Sequence, residues 1–334
     1  MQPRRYVPFD VFGMREQVRV STLVRVGDQG WTCGQCPLDI DATVVAPDDL
    51  PAQAVFVCEM IETVLKRGGF EGHHAAQLLL YHAAPDRQAL EATLLIFRQA
   101  FPHGVVILPI PVPHFYYDGM LLEVDVYADA TLAAQMPCPM GVQRLDGEEF
   151  SYVAVEAENA SELENRLTRC GLPLENLLQD LHLQPLEATS AEATGRTILS
   201  ESDLSDMRHK ATLIFNRDDQ VQQHLSESGV LLKETPSTIV FDSPLGRPGD
   251  DLVTQTRIAM EALSGALRDR DLTWANVVKI SAPYVGSASA ADLHENLKIR
   301  HSHHSLPGPA STGLPVLRFA DPDTRIHVQV IARR

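Results

Sequence analysis

Residues 63–82 read TVLKRGGFEGHHAAQLLLYH, residues 165–184 read NRLTRCGLPLENLLQDLHLQ, and residues 265–284 read GALRDRDLTWANVVKISAPY. The three stretches align without a gap. Leu65, Leu167 and Leu267 share one column, so the chain repeats at a step of 102 residues and then 100. Each stretch closes an amphipathic helix, turns through Gly69, Gly171 or Asp271, and enters an apolar strand. Self-similarity at a near-fixed period marks a chain built by repetition.

Working outward, the helix that starts at Pro51 (PAQAVFVCEMIETVLKRGG) opens on a proline suited to a first turn. It places Val57, Met60, Ile61, Val64 and Leu65 on one face. The second helix, NASELENRLTRCG, offers Asn159 or Ser161 as N-cap, each with a Glu three residues later. The third, DLVTQTRIAMEALSGALRD, repeats the spacing with Ile258, Ala262, Leu263 and Leu267. A strand precedes each helix: GWTCGQCPLDI, EFSYVAVEAE and STIVFDSPLG.

The first and third copies predict a second helix, over residues 88–99 and 290–300. Each then ends in an alternating strand, MLLEVDVYA or TRIHVQVIA. The middle copy keeps ATLIFNRD as a strand, but residues 185–196 read as a loop, so its second helix is expected to be short or absent. The fold class is therefore α+β, in three tandem units over residues 1–135, 136–222 and 223–334, the middle one degenerate. Two α+β domains joined by a linker region are the alternative.

Composition narrows the functions. Hydrophobic residues make up 44% of 334, enough for a substantial core. The formal charge of −16 repels phosphate backbones, and no basic block offsets it, so nucleic acid is not an expected partner. No apolar run is long enough to span a bilayer, and the opening MQPRRYVPFDVF lacks an apolar export segment, so no membrane partner and a cytoplasmic location are expected. Five scattered cysteines do not describe a disulfide framework. Cys33 and Cys36 in WTCGQC have dithiol spacing. They lie at a strand end rather than a helix N-terminus, and no second pair completes a zinc site.

Other residues carry a resemblance. Cys33-Gly34-Gln35 ends a strand, Gln53 comes early in the following helix, and Glu123 lies in LLEVDVYA. The last unit has GDDLVTQT with Gln255, Asn296 on its second helix, and PGPASTGLPVLRFADPDTRIHVQVIARR. Over approximately residues 17–128 and 225–334 the chain resembles the Rid proteins, the YjgF-like reactive-intermediate (enamine/imine) deaminases. More distantly it resembles the chorismatases, which hydrolyse an enol-ether on fused Rid-like units. The resemblance implies chorismate-mutase-like units with ligand clefts between neighbours. Rid proteins are typically homotrimers, so three linked units would close the ring within one chain as an intramolecular pseudo-trimer. A monomer is favoured, with a homo-oligomer as the alternative. The implied activity is hydrolysis of a small carboxylated metabolite at an imine, enamine or enol-ether, with no cofactor and no metal.

The same resemblance names candidates and departures. In Rid deaminases an Arg after Pro-Ala holds the substrate carboxylate; here the run is Pro309-Ala310-Ser311-Thr312-Gly313, with Ser311 at that place and Gly313 where Cys is common. Gly104 stands at the corresponding place in the first unit, and Glu91 replaces the second-helix Asn there. Glu123 matches the water-positioning Glu, and His327 holds its place in the last unit, where an imidazole could act as a base near neutral pH. The catalytic candidates are thus Glu123 and His327. The substrate-binding candidates are Cys33, Gln35, Tyr117, Asn296, Ser311 and Thr312, with His327 and Ser311 expected in a cleft separate from that of Glu123. Arg98, Arg257, Arg300 and Arg318 are spare guanidiniums whose default is a solvated surface. His301, His303 and His304 in HSHH invite a metal reading, but no spaced carboxylate or thiolate completes a ligand set, so a polar loop near the cleft is expected. A second class of function stays open: a non-catalytic small-molecule-binding or scaffold protein on the same ring. The missing arginine favours it.

Overall fold

The three aligned stretches fold alike. In the computed structural model, which describes residues 3–14, 18–133, 137–185, 197–200, 209–218, 220–287 and 289–334, each ends a helix, turns and begins a strand. The turn residue has positive φ in every copy: 81° at Gly69, 68° at Gly171 and 55° at Asp271. Glycine reaches that region freely, and Asp tolerates it better than most residues. A single 3₁₀ turn follows at Gly72–His74, Leu174–Asn176 and Trp274–Asn276, in the same column each time.

The first unit runs β1 (Arg4–Pro8), β2 (Ser21–Val26), β3 (Gln29–Thr32), α1 (Leu50–Gly68), β4 (Ala75–His82), α2 (Arg87–Ala100), β5 (Val106–Pro111) and β6 (Leu122–Asp129). The middle unit runs β7 (Val142–Asp146), β8 (Phe150–Ala157), α3 (Ala160–Arg169), β9 (Leu177–Pro185), β10 (Thr197–Ser200) and β11 (His209–Asn216). The third runs β12 (Gln222–Leu225), β13 (Leu231–Glu234), β14 (Thr238–Asp242), α4 (Leu252–Arg268), β15 (Val277–Ser281), α5 (Ala290–Ser302), β16 (Ala310–Thr312), β17 (Arg318–Phe319) and β18 (Gln329–Arg333).

Three mixed sheets result. The first has the order β1-β2-β3-β6-β4-β5 and the third β12-β13-β14-β18-β15-β16, which is the same topology. The second, β7-β8-β11-β9-β10-β17, has one leading strand fewer among the described residues and takes β17 from the third unit at its far edge. That strand pairs antiparallel with β10 and covers an edge that would otherwise stay open. Both predicted second helices are present, as α2 and α5, and Asn159 rather than Ser161 caps α3. The loop reading of residues 185–196 falls almost entirely outside the described residues.

Strand alternation divides the apolar residues between two kinds of core. Leu78 and Leu80 of β4 face α1 and α2, whereas Leu79 and Tyr81 face a central core shared with Tyr152 and Leu181 of the middle unit and Val240 and Ile331 of the third. Each sheet is thus covered by its own helices outside and by the other two sheets inside. This explains how units of about a hundred residues are stable as a ring.

Polar residues fix the order of the ring. Twelve positions past the three anchoring leucines stand Gln77, Gln179 and Lys279. Each reaches one equivalent position on the last strand of the next unit, defined by the pairings Leu79–Asp125, Leu181–Thr212 and Ser281–Gln329. Gln77 donates to Thr212, Gln179 donates to Gln329 at 2.6 Å, and Lys279 pairs with Asp125 at 2.9 Å. The first unit therefore meets the second, the second the third, and the third the first. No described helix is long and apolar enough to cross a membrane.

Candidate functional site

Where the third unit meets the first, a cavity of about 100 Å³ lies between them. An engineered dry cavity of roughly 150 Å³ takes up benzene, so this space suits a small ligand. Cys33, Gly34, Tyr117 and Glu123 line it from the first unit; Ser311, Thr312 and His301 line it from the third. The rest of the wall is largely apolar, with Phe9, Phe12, Phe115, Met120, Leu293 and Leu297.

Glu123 is placed by the turn that leaves β3. Gln35 and Val124 exchange backbone hydrogen bonds of 2.8 and 3.0 Å, which lays Gly34 directly on the Glu123 side chain. A Cβ on Gly34 would lie 1.7 Å from Glu123 Oε1, so only glycine fits there. Gln53 fixes the chain entering β6: its amide donates to Gly119 O at 2.7 Å and accepts from Leu121 N at 2.8 Å. Gln255 makes the equivalent clamp on Asp323 O and Arg325 N, which gives the early-helix glutamine a structural meaning in both units.

Burial, then the neighbouring Asp125, push the Glu123 carboxyl up to about 8, against the opposing effects of a Cys36 hydrogen bond and Lys279. It is consequently a neutral acid at pH 7 and still close to ionisation. Behind it, Lys279 Nζ donates to Thr32 O and Thr312 Oγ1, both at 2.8 Å, and Thr312 Oγ1 donates to Asp125 Oδ1 at 2.5 Å. This network ties the floor of the cavity to both units.

Behind the Ser311 wall of the cavity, α5 places a guanidinium. Arg300 is fully buried; its Nη1 donates to Ser311 Oγ at 2.9 Å and its Nε to Asn296 Oδ1 at 2.5 Å. Its Nη2 is sealed with no hydrogen-bond partner, and no carboxylate among the described residues pairs with it. Burial lowers the Arg300 pKa to about 10. A Cβ on Gly313 would sit 2.5 Å from Nη2, so the glycine makes room for this side chain. Arg300 is therefore not the solvated arginine expected by default, whereas Arg98, Arg257 and Arg318 are exposed.

Several expectations change. Ser311 shares the cavity of Glu123 instead of a separate cleft, because the third unit abuts the first. His327 does occupy the Glu123 register position of its own unit, as Lys210 does in the middle one. It lies apart from the cavity, buried with Nε2 3.7 Å from Asp242 Oδ1. Gln35 and Asn296 are buried behind the wall: Gln35 donates to Cys33 O at 2.8 Å, and Asn296 orients Arg300. Cys33, Tyr117, Ser311 and Thr312 do line the cavity. Both thiols of the WTCGQC pair are buried and their pKa values raised, that of Cys33 to about 12, the reverse of a reactive dithiol. The HSHH residues lie at the end of α5 rather than wholly in a loop, and no cluster of metal-ligating side chains occurs among the described residues. A larger cavity of about 310 Å³ beside α3 is lined by none of the catalytic or substrate-binding candidates read from the sequence.

Comparison with known proteins gives likeness of fold. No family model matches the chain, and no curated protein matches it in sequence. Among solved structures, a chorismatase matches with a TM-score of 0.54 at 9% identity, over 78% of this chain and 93% of its own. A YjgF/YER057c/UK114 family member from Mycobacterium tuberculosis matches 38% of this chain over 99% of its own, at 20% identity and TM-score 0.31. A protein from Thermotoga maritima described as a putative endoribonuclease matches 37% over 96% of its own, at 18% identity and TM-score 0.33. The chain has Rid-like units in tandem, and as a whole a fold similar to that of chorismatase.

Proposed function

We propose that the protein is a hydrolase of Rid type that acts on a small carboxylated metabolite, at an imine, enamine or enol-ether, in the cleft between the first and third units. One observation carries the reading: a buried guanidinium without a carboxylate partner among the described residues backs one wall of a cavity whose other wall holds a carboxyl group raised to about 8. An unpaired buried cation is costly, and a ligand carboxylate at Ser311 would relieve that cost.

For an imine, protonated Glu123 gives its proton to the nitrogen, and the resulting carboxylate takes one from the water that attacks the carbon. The carbinolamine then collapses by moving a proton from oxygen to nitrogen through the same carboxyl group. The C–N bond breaks, ammonia and a carbonyl compound leave, and Glu123 ends protonated. An enol-ether would use the same acid to protonate carbon before water adds. A ring closed within one chain favours a monomer near 36.8 kDa, with a homo-oligomer as the alternative.

The sealing of Arg300 behind Ser311 favours a second reading, a non-catalytic small-molecule-binding or scaffold protein. Turnover of freshly generated 2-imino acids by the purified protein separates the two. Hydrolysis above the spontaneous rate supports the enzyme. No turnover, combined with thermal stabilisation by small carboxylates such as pyruvate, favours the binder.

A further inference from the structure

One residue on the cavity wall has no part in that chemistry. His301 lies in the last turn of α5, next to Arg300, and lines the cavity while only 6% exposed. Its Nε2 is sealed from solvent with no hydrogen-bond partner, whereas Nδ1 is not sealed, and neither nitrogen meets a described residue. A sealed N–H without a partner is rarer and dearer than an unmet acceptor, so the ring proton is assigned to Nδ1, the nitrogen that is not sealed.

The charge state follows from what surrounds the ring. Burial, then Arg300, His304 and Arg19, hold the imidazole down at about 3, and Glu123 is the acidic group on the same cavity. His301 is thus neutral across the working pH range. So weak a base is poorly suited to take a proton from water, but a neutral imidazole is a good fixed hydrogen-bond donor. The adjacent guanidinium repels a cationic ligand group. A second anionic group would be stranded in a largely apolar space. What remains is an uncharged acceptor.

We propose that His301 is a specificity residue whose Nδ1–H donates to an uncharged oxygen, a hydroxyl or a carbonyl, carried by the ligand in addition to its carboxylate. The substrate class is then a small hydroxy- or oxo-substituted carboxylic acid with an otherwise apolar body. This deepens the hydrolase reading and rests on it.

The test is steady-state hydrolysis of 2-imino acids generated in solution from amino acids that differ by one hydroxyl. Two pairs serve, phenylalanine with tyrosine and 2-aminobutyrate with homoserine, each with the wild type, His301→Ala, His301→Gln and Glu123→Gln. The wild type is expected to prefer the hydroxylated member of at least one pair by about tenfold or more in kcat/KM. His301→Ala loses that preference through KM with its pH profile unchanged, and His301→Gln, which keeps a neutral donor, regains part of it. A preference unchanged in His301→Ala, or absent from the wild type, overturns the inference and leaves the hydrolase reading standing. Absence of turnover by the wild type on every pair overturns both. Thermal unfolding of each variant identifies one that fails to fold, and the His301→Gln comparison then decides.

Discussion

Replacing Glu123 by Gln keeps the shape of the protonated carboxyl and removes its ionisation, so it turns the raised pKa into a stability difference that depends on pH. The group moves from 4.5 to about 8 on folding. Between those values the folded protein holds a proton that the unfolded chain has released. The stabilisation from this group is therefore complete below about 4.5 and is lost as pH rises through about 8. At about 1.4 kcal/mol per unit the upper bound is roughly 5 kcal/mol. The carboxyl opens on a cavity that water can enter, so a loss of about 2 to 5 kcal/mol is the working expectation. Urea unfolding of the wild type and Glu123→Gln at pH 5, 6.5 and 8.5 measures it. The amide contributes a constant offset, and the wild type should lose stability relative to the variant as pH rises. Two parallel pH dependences would refute the assignment of a neutral acid to Glu123.

Three further outcomes follow from the same geometry. Lys279→Gln strands Asp125 in the core and should cost about 3 to 5 kcal/mol in equilibrium unfolding. Adding Asp125→Thr recreates the Gln77–Thr212 pair and should recover more than half; no recovery would contradict the equivalence of the three bridges. Gly313→Ala should push Arg300 off its place. It should then weaken thermal stabilisation by pyruvate at least tenfold in apparent affinity, and unaltered affinity would exclude Arg300 as the anchor. Cys33 and Cys36 should resist a thiol reagent at pH 8 while the part-exposed Cys138 and Cys170 react first, as read by peptide mass mapping; rapid labelling of Cys33 would contradict its burial.

The fold was legible where local chemistry repeats. The turns at Gly69, Gly171 and Asp271 need a left-handed residue, and the flanking helix and strand periods tell the same story in each copy. Gly34 and Gln53 were legible as motifs, though their reasons, a carboxyl pressed on a glycine and a clamp on the chain before β6, needed coordinates. The site was only half legible. Arg300 on α5 reads like any solvated helical arginine, and it is buried because the third unit closes against the first. Which unit meets which is set by Lys279 and Asp125, residues 154 positions apart, and no local pattern encodes that contact. For the same reason Ser311 and Glu123 could not be assigned to one cavity. Phe9 and Phe12 precede the repeat register, so nothing marked them as wall residues. One local signal does point to Arg300: Leu293, Asn296, Leu297 and Arg300 fall on one face of α5, a stripe that mixes apolar residues with a bonded pair.

The central claim is that the first and third units jointly build one working site. Hydrolysis of a 2-imino acid at pH 7 by the wild type, Glu123→Gln and Arg300→Met tests it most directly. The account predicts that Glu123→Gln lowers kcat by about 10² to 10⁴. It predicts that Arg300→Met acts mainly by raising KM, with both variants folded. Wild-type turnover that survives both substitutions unchanged would place the chemistry elsewhere and contradict the account.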